Sequence, residues 1–215
     1  MKVGILGTGD VGRALGKGFV TLGHEVKLGG RAAGNEKARA WVTQMGGAKA
    51  SEGTFADAAA FGELIVVATL GLAVEEAVRA AEPANFRGKV VIDTTNPLDT
   101  SKGMPPTLAS LPEGSGGERL QRLVPDAHVV KAFNTVGNGL MFRPQLPGGP
   151  PDMFVAGNDA AAKAKVAELL HEFGWGVADL GGIGASRYLE AMCIVWVLHG
   201  VHSGSWSHAF KILHK

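Results

Sequence analysis

The chain has 215 residues, 32 of them glycine, with 21 Lys and Arg set against 20 Asp and Glu. That length fits one medium domain and is short for two full catalytic domains, and the balanced charge leaves no excess for a polyanion, which argues against nucleic acid as a partner. One cysteine, Cys193, excludes an internal disulfide framework and a cysteine-based zinc site, and fits a reducing compartment.

Reading from the N-terminus, Met1 to Gly7 turns to glycine after a few apolar residues and carries no signal-peptide core. The longest apolar run, Ala191 to Leu198, falls well short of the ~20 residues that span a bilayer. Both observations point to a cytoplasmic protein without a membrane partner.

Up to about residue 135, short β-branched runs alternate with Ala-rich stretches, the pattern of a parallel sheet wrapped by helices. The pattern predicts strands over Lys2–Leu6, Glu25–Leu28, Leu64–Thr69, Lys89–Thr94 and His128–Ala132, with a weaker one near Ala48–Ala50. It predicts helices over Val11–Leu22, Glu36–Met45, Thr54–Ala60 and Val74–Ala81. Residues 99–118 and 143–151, rich in Pro, Gly and Ser, read as surface loops. Met153–Ala156, Ala160–Phe173 and Trp175–Asp179 then read as strand, helix and strand. From Ser186 the chain reads as a helix apolar around most of its circumference, buried in this chain or against a second copy in a homodimer. The fold expected is α/β, a Rossmann-type doubly wound, mostly parallel sheet over residues 1–182, with a helical C-terminal segment over 183–215.

Gly7-Thr8-Gly9-Asp10-Val11-Gly12 follows a predicted strand and opens a predicted helix, the context that makes G-x-G-x-x-G a dinucleotide-binding signal. Gly7 permits the tight turn, Gly9 lets a pyrophosphate approach the backbone, and Gly12 lets the helix pack against the strand. The helix N-terminus offers free N–H groups to phosphate oxygens. Asp10 is expected to cap the helix with its carboxylate turned aside. The second strand ends Leu28-Gly29-Gly30-Arg31 with no acid at its tip. Arg31 there suits the 2′-phosphate of NADP(H), with Lys37 further on to assist.

Ligands of open α/β sheets lie beyond the C-terminal strand ends, here Thr69-Leu70-Gly71, Asn96-Pro97 and Lys131 to Gly137. Asn96 and Asn134 can each donate and accept, as a nicotinamide carboxamide requires. Backbone groups near Thr69, Asn96 and Asn134 are the expected orienting set, with Ala132 or Phe133 flooring the pocket. A bound dinucleotide carries its own chemistry and needs orientation from the protein, so no nucleophile or catalytic side chain is assigned. His199, His202, His208 and His214 crowd the C-terminus, but Gly200 and Gly204 interrupt their helix and no carboxylate accompanies them, so no metal site is expected. Arg187 and Glu190 read as an i, i+3 pair.

Taken together, these residues resemble the NADPH-dependent oxidoreductases of the deazaflavin coenzyme F-420, and the cytosolic NADPH-binding domain of the six-transmembrane ferric reductases. The resemblance rests on Gly7 to Gly12, Leu22-Gly23-His24-Glu25-Val26, Asp93 to Pro97, Val130 to Asn134, Ala156-Gly157-Asn158-Asp159, and Ser186-Arg187 with Glu190. It implies a compact reductase that binds NADPH along the strand ends and exchanges hydride with a deazaflavin or flavin stacked on the nicotinamide. Where the family commonly has Ser-Arg at the second strand tip, this chain has Gly30-Arg31, and Thr69 to Leu72 lacks the Pro-Trp of archaeal members. Two further readings stand beside it. One is a reductase of small carbonyl or imine substrates, against which the short segment after Ser186 counts. The other is a non-catalytic NADPH-binding sensor.

Overall fold

The apolar runs of the sequence become central strands because a strand covered on both faces must be apolar on both. In a computed structural model, which describes residues 1–213 and 215, the elements run β1 (Lys2–Leu6), α1 (Asp10–Thr21), β2 (Glu25–Gly30), α2 (Glu36–Gln44), β3 (Ala50–Thr54), α3 (Phe55–Phe61), β4 (Leu64–Val67) and α4 (Val74–Ala80). They continue with β5 (Val90–Asp93), β6 (Leu98–Asp99), β7 (Thr107–Leu108), α5 (Gly116–Leu123), β8 (His128–Lys131), β9 (Asp152–Gly157), α6 (Ala160–Glu172), β10 (Gly176–Asp179) and α7 (Ser186–Ser203).

Eight strands form one sheet in the order β10-β9-β8-β5-β4-β1-β2-β3, the doubly wound arrangement of a Rossmann-type fold. Pairing is parallel except between β8 and β9, where Val130 opposes Gly157 and Lys131 opposes Ala156. Alternate residues feed two cores. Ile5, Leu64 and Val66 join Leu15, Phe19 and Trp41 on one face. Leu6, Ile65 and Val67 join Phe55, Phe86 and Leu120 on the other.

Local chemistry starts the helices where the sheet needs them. Asn35 accepts from the N–H of Ala38 at the start of α2, and Asp159 does the same for Ala162 at the start of α6. Thr54 and Asp57 form a reciprocal capping box on α3.

Three expectations need correction. The weak strand lies at Ala50–Thr54, later than Ala48–Ala50; its Ser, Glu and Gly content suits an edge strand better than a core one. Residues 99–118 are not all loop, since β6 pairs antiparallel with β7 and α5 begins at Gly116, capped by Ser115. Gly117 serves close packing, because a Cβ there would stand 2.2 Å from Ser186 Oγ. Finally, α7 buries only one face: Leu189, Cys193, Trp196, Val197 and Gly200 turn inward, while Tyr188, Val195, Leu198 and Val201 are exposed.

The expected pairing of Arg187 with Glu190 is also overturned. Arg187 reaches Glu118 on α5 at 3.1 Å. Glu190 turns into the protein and meets Lys131 at 2.7 Å, and Lys131 also holds Asp93 at 2.8 Å. Glu190 further accepts from the backbone N–H groups of Gly116 and Gly117. Lys131, Asp93 and Glu190 are all buried. Burial alone would lower the Lys131 ammonium, but Asp93 and Glu190 outweigh it and hold it above the ordinary lysine value.

Because its folded-state value is raised, the stability Lys131 contributes is complete below the ordinary lysine value of 10.5 and is lost as pH rises through the folded-state value. Urea denaturation of the wild type should be flat around neutrality on this account and fall in strong alkali. Lys131→Ala, which strands two buried carboxylates, should cost about 3–5 kcal/mol at neutral pH.

Candidate dinucleotide site

The loop between β1 and α1 is shaped by what its glycines exclude. Gly7 has φ +138° and donates to Gly29 O at 2.9 Å; a Cβ there would lie 2.3 Å from Ala68 O. A Cβ on Gly12 would lie 2.3 Å from Gly7 O, so helix and strand meet only through glycine. Gly9 differs: a Cβ there would meet nothing within 4 Å. The N-cap of α1 is Gly9, with no side-chain cap. Open space beside a helix N-terminus is the space a pyrophosphate fills, and the residues present fit a dinucleotide.

Asp10 does not cap α1; its carboxylate pairs with Arg13 at the surface. Arg13 in turn donates to Thr8 O at 3.2 Å, and its own carbonyl accepts from Trp41 Nε1 at 3.1 Å. Arg13 thus braces the loop from behind, a role that an exposed-looking arginine in the first turn did not announce in the sequence.

Beyond the β2 tip lies a cleft of about 460 Å³, walled by Thr8, Gly30, Arg31 and Asn35 on one side and by Leu70 and Glu76 on the other. Thr69 lines it as well. The loop carrying Arg31 is held by Glu52, whose two carboxylate oxygens accept from Gly34 N at 3.1 and 2.9 Å. Lys37, exposed in the first turn of α2, is not among the lining residues. Neither Glu52 nor Glu76 was singled out from the sequence, because both stand far from Arg31 along the chain.

A second cleft, of about 400 Å³, runs over the tips of β4 and β5 and is lined by Val11, Thr69, Leu70, Thr94, Thr95 and Asn96. The tips approach closely enough that a Cβ on Gly71 would lie 2.0 Å from Asn96 O. Asn96 is engaged at both ends by Asn134, donating to its carbonyl at 2.8 Å and accepting from its Nδ2 at 2.9 Å. Asn134 Nδ2 also donates to Leu189 O. Asn134 is buried, its amide nitrogen committed to Asn96 and α7, and it does not line the cleft. Pro97 turns the chain into the β6–β7 pair, its carbonyl accepting from Ala109 N. Ala132 and Phe133 do not floor the pocket. Both are buried, and Phe133, at φ +61°, packs its ring 5.6 Å from that of Phe173 in the core.

A third cleft, of about 540 Å³, adjoins the second at Val11, with Val136, Gly137, Leu140, Trp196 and Trp206 around it. Trp206 reaches this wall because Gly200 has no side chain; a Cβ there would lie 2.5 Å from its ring. Trp196 stacks on His208 and donates from Nε1 to His208 O. Burial pushes the Cys193 thiol up to about 11, with Lys131 acting against it, so it is no nucleophile near neutrality. Among the described residues no group of three or more His, Cys, Asp or Glu can hold a metal ion, and no helix is long and apolar enough to cross a membrane. His214 lies outside the described residues.

A glycine-shaped turn, an open helix N-terminus and clefts along the strand tips are the features of a dinucleotide-binding protein of the Rossmann type. The family described as NADP oxidoreductase, coenzyme F420-dependent, matches residues 2–97. The F420-dependent NADP reductase of Methanothermobacter thermautotrophicus is 32% identical over 199 residues, covering 88% of this chain and 85% of its own. Metalloreductase STEAP3 of Rattus norvegicus is 29% identical over 196 residues, and the chain, of which the match takes 89%, spans only 36% of that protein. A solved structure from Arthrobacter sp. FB24, described as a candidate F420-dependent NADP-reductase, shares 41% identity with a TM-score of 0.92 over 100% of both chains. The chain belongs to the F420-dependent NADP reductase family, and is an NADP-dependent oxidoreductase.

Gly9 offers a separation of folding from binding. Gly9→Val should leave the fold standing at a cost of about 1 kcal/mol for the poorer cap, yet weaken dinucleotide binding about 100-fold or more by filling the phosphate space. Gly12→Val, driven against Gly7 O, should lose stability and binding together. Thermal unfolding and fluorescence titration of both variants check the contrast.

Proposed function

We propose that the protein exchanges hydride between NADPH, bound along the strand tips, and a planar ring acceptor of the deazaflavin or flavin type. NADPH supplies the hydride; the chain's residues bind and orient. The helix N-terminus at Gly9 takes the pyrophosphate, Arg31 the 2′-phosphate, and the tips at Thr69 and Asn96 the nicotinamide end. The acceptor sits in the adjoining cleft, its ring against Trp196 and Trp206.

The single observation that carries the acceptor class is the lining of that third cleft. Its walls are Val11, Val136, Gly137, Asn138, Gly139, Leu140, Trp196, Trp206 and Ser207, with no carboxylate, lysine, histidine or tyrosine among them. Reduction of a carbonyl or imine calls for a positioned proton donor of that kind. A reducible aromatic ring calls for flat apolar walls and takes its proton from water. The name shared by the methanogen relative and the Arthrobacter structure supports the deazaflavin in particular. The reading places the reaction in the cytoplasm, with a second copy of the chain covering the exposed Tyr188, Val195 and Leu198 of α7.

NADPH oxidation should accelerate with the deazaflavin, and a flavin in its place should support a slower rate. No acceleration by the deazaflavin, by riboflavin, by flavin mononucleotide or by ferric chelates would remove the reading. Trp206→Ala should raise KM for the acceptor about tenfold while leaving KM for NADPH unchanged.

A further inference from the structure

The cleft beyond the β2 tip holds one cation and one anion among its lining residues, and these two face each other. Arg31 comes from the loop after β2 and Glu76 from the first turn of α4, with Arg31 Nε 3.7 Å from Glu76 Oε1. Both side chains are largely free to move, at 77% and 70% exposure, so the pair is solvated and weakly held. The neighbouring acid has no such freedom. Glu75 is clamped between Arg79 and Arg119, leaving Glu76 as the only carboxylate of α4 that addresses the cleft. Below the loop, Glu52 is committed to the backbone of Gly34. Gly30 brings no side-chain donor, so Arg31 is the one positively charged group among the residues that line the cleft.

We infer that Glu76 limits the preference for a 2′-phosphorylated dinucleotide by competing with the 2′-phosphate for Arg31. This rests on the dinucleotide reading proposed above. A phosphate at this tip must take the guanidinium that Glu76 holds, or share it at close range with a second anion. A ribose 2′-hydroxyl is uncharged and meets neither cost. Glu76 therefore weighs against NADPH and not against NADH, and the discrimination of this chain is the attraction of Arg31 less the opposition of Glu76. The position is exposed and outside both cores, so the carboxylate can be neutralised without disturbing the fold.

Titration of NADPH and of NADH, followed by quenching of tryptophan fluorescence, tests this on the intact protein. Glu76→Gln should tighten NADPH about three- to tenfold and Glu76→Lys further, with NADH changed less than about twofold. In an Arg31→Ala background the gain from Glu76→Gln should shrink, because the contested cation is gone. An unchanged ratio of NADPH to NADH affinity in Glu76→Gln, or equal tightening of both, overturns the inference. The two readings fail separately: a wild type that binds no NADPH defeats the proposed function, whereas a wild type that prefers NADPH beside an unmoved Glu76→Gln defeats only this one.

Discussion

One ammonium group organises the upper end of the sheet. Lys131 stands at the end of β8 beside Asp93 at the end of β5, its register partner, and reaches Glu190 in α7. Glu190 passes the connection to the first N–H groups of α5. Two helices, α5 and α7, are thus drawn onto the adjacent tips of β5 and β8 by a buried cluster whose charges have no water to fall back on. Such a cluster adds little net stability compared with a well-packed apolar one, but any other arrangement of α7 would leave a buried charge unpaired. Its value is specificity of arrangement: Asp93 also accepts from the N–H and hydroxyl of Thr95, so the tip that lines the cofactor cleft is set by the same carboxylate.

That cluster also explains where sequence reading stopped. The loop between β1 and α1 was legible because its constraints are local: Gly7 and Gly12 each answer to a neighbour in the same turn or beside the adjacent strand, and Gly9 keeps the space before the helix open. The central strands were legible because burial on both faces writes itself as an unbroken apolar run. Glu190 was not legible. Three residues after Arg187 on a helix, it presents the spacing of a surface pair, and only the tertiary approach of β8 shows that its partner is Lys131. Asn134 misled for a related reason, since a polar residue at a strand end suits a ligand and a helix anchor equally well, and here it holds Asn96 and Leu189.

Glycine-rich sequence proved to have two meanings. At Gly9 it leaves open space before a helix N-terminus, and at Gly71 it lets two strand tips approach. Around residues 116–117 and at Gly200 it marks closeness between elements, where helix meets helix or a tryptophan ring lies on a helix. Composition cannot separate these uses, because both exploit the same missing Cβ. The consequence at Gly200 is functional in the proposed reading, since it is the gap that lets Trp206 join Trp196 in one wall.

The reversal of β9 has an electrostatic outcome. Because β9 runs against β8, the helix that follows it starts at the far end of the sheet and returns, so α6 brings its carbonyl end, not its amide end, to the level of the strand tips. There Phe173 O is capped by the N–H of Arg143, and the Phe173 ring packs against Phe133. The strand-tip end of the molecule is therefore polarised across its width: α1 presents its amide end on the β1 side, and α6 its carbonyl end on the β9 side. A single change of strand direction thus sets opposite helix-dipole ends on the two sides of the strand tips.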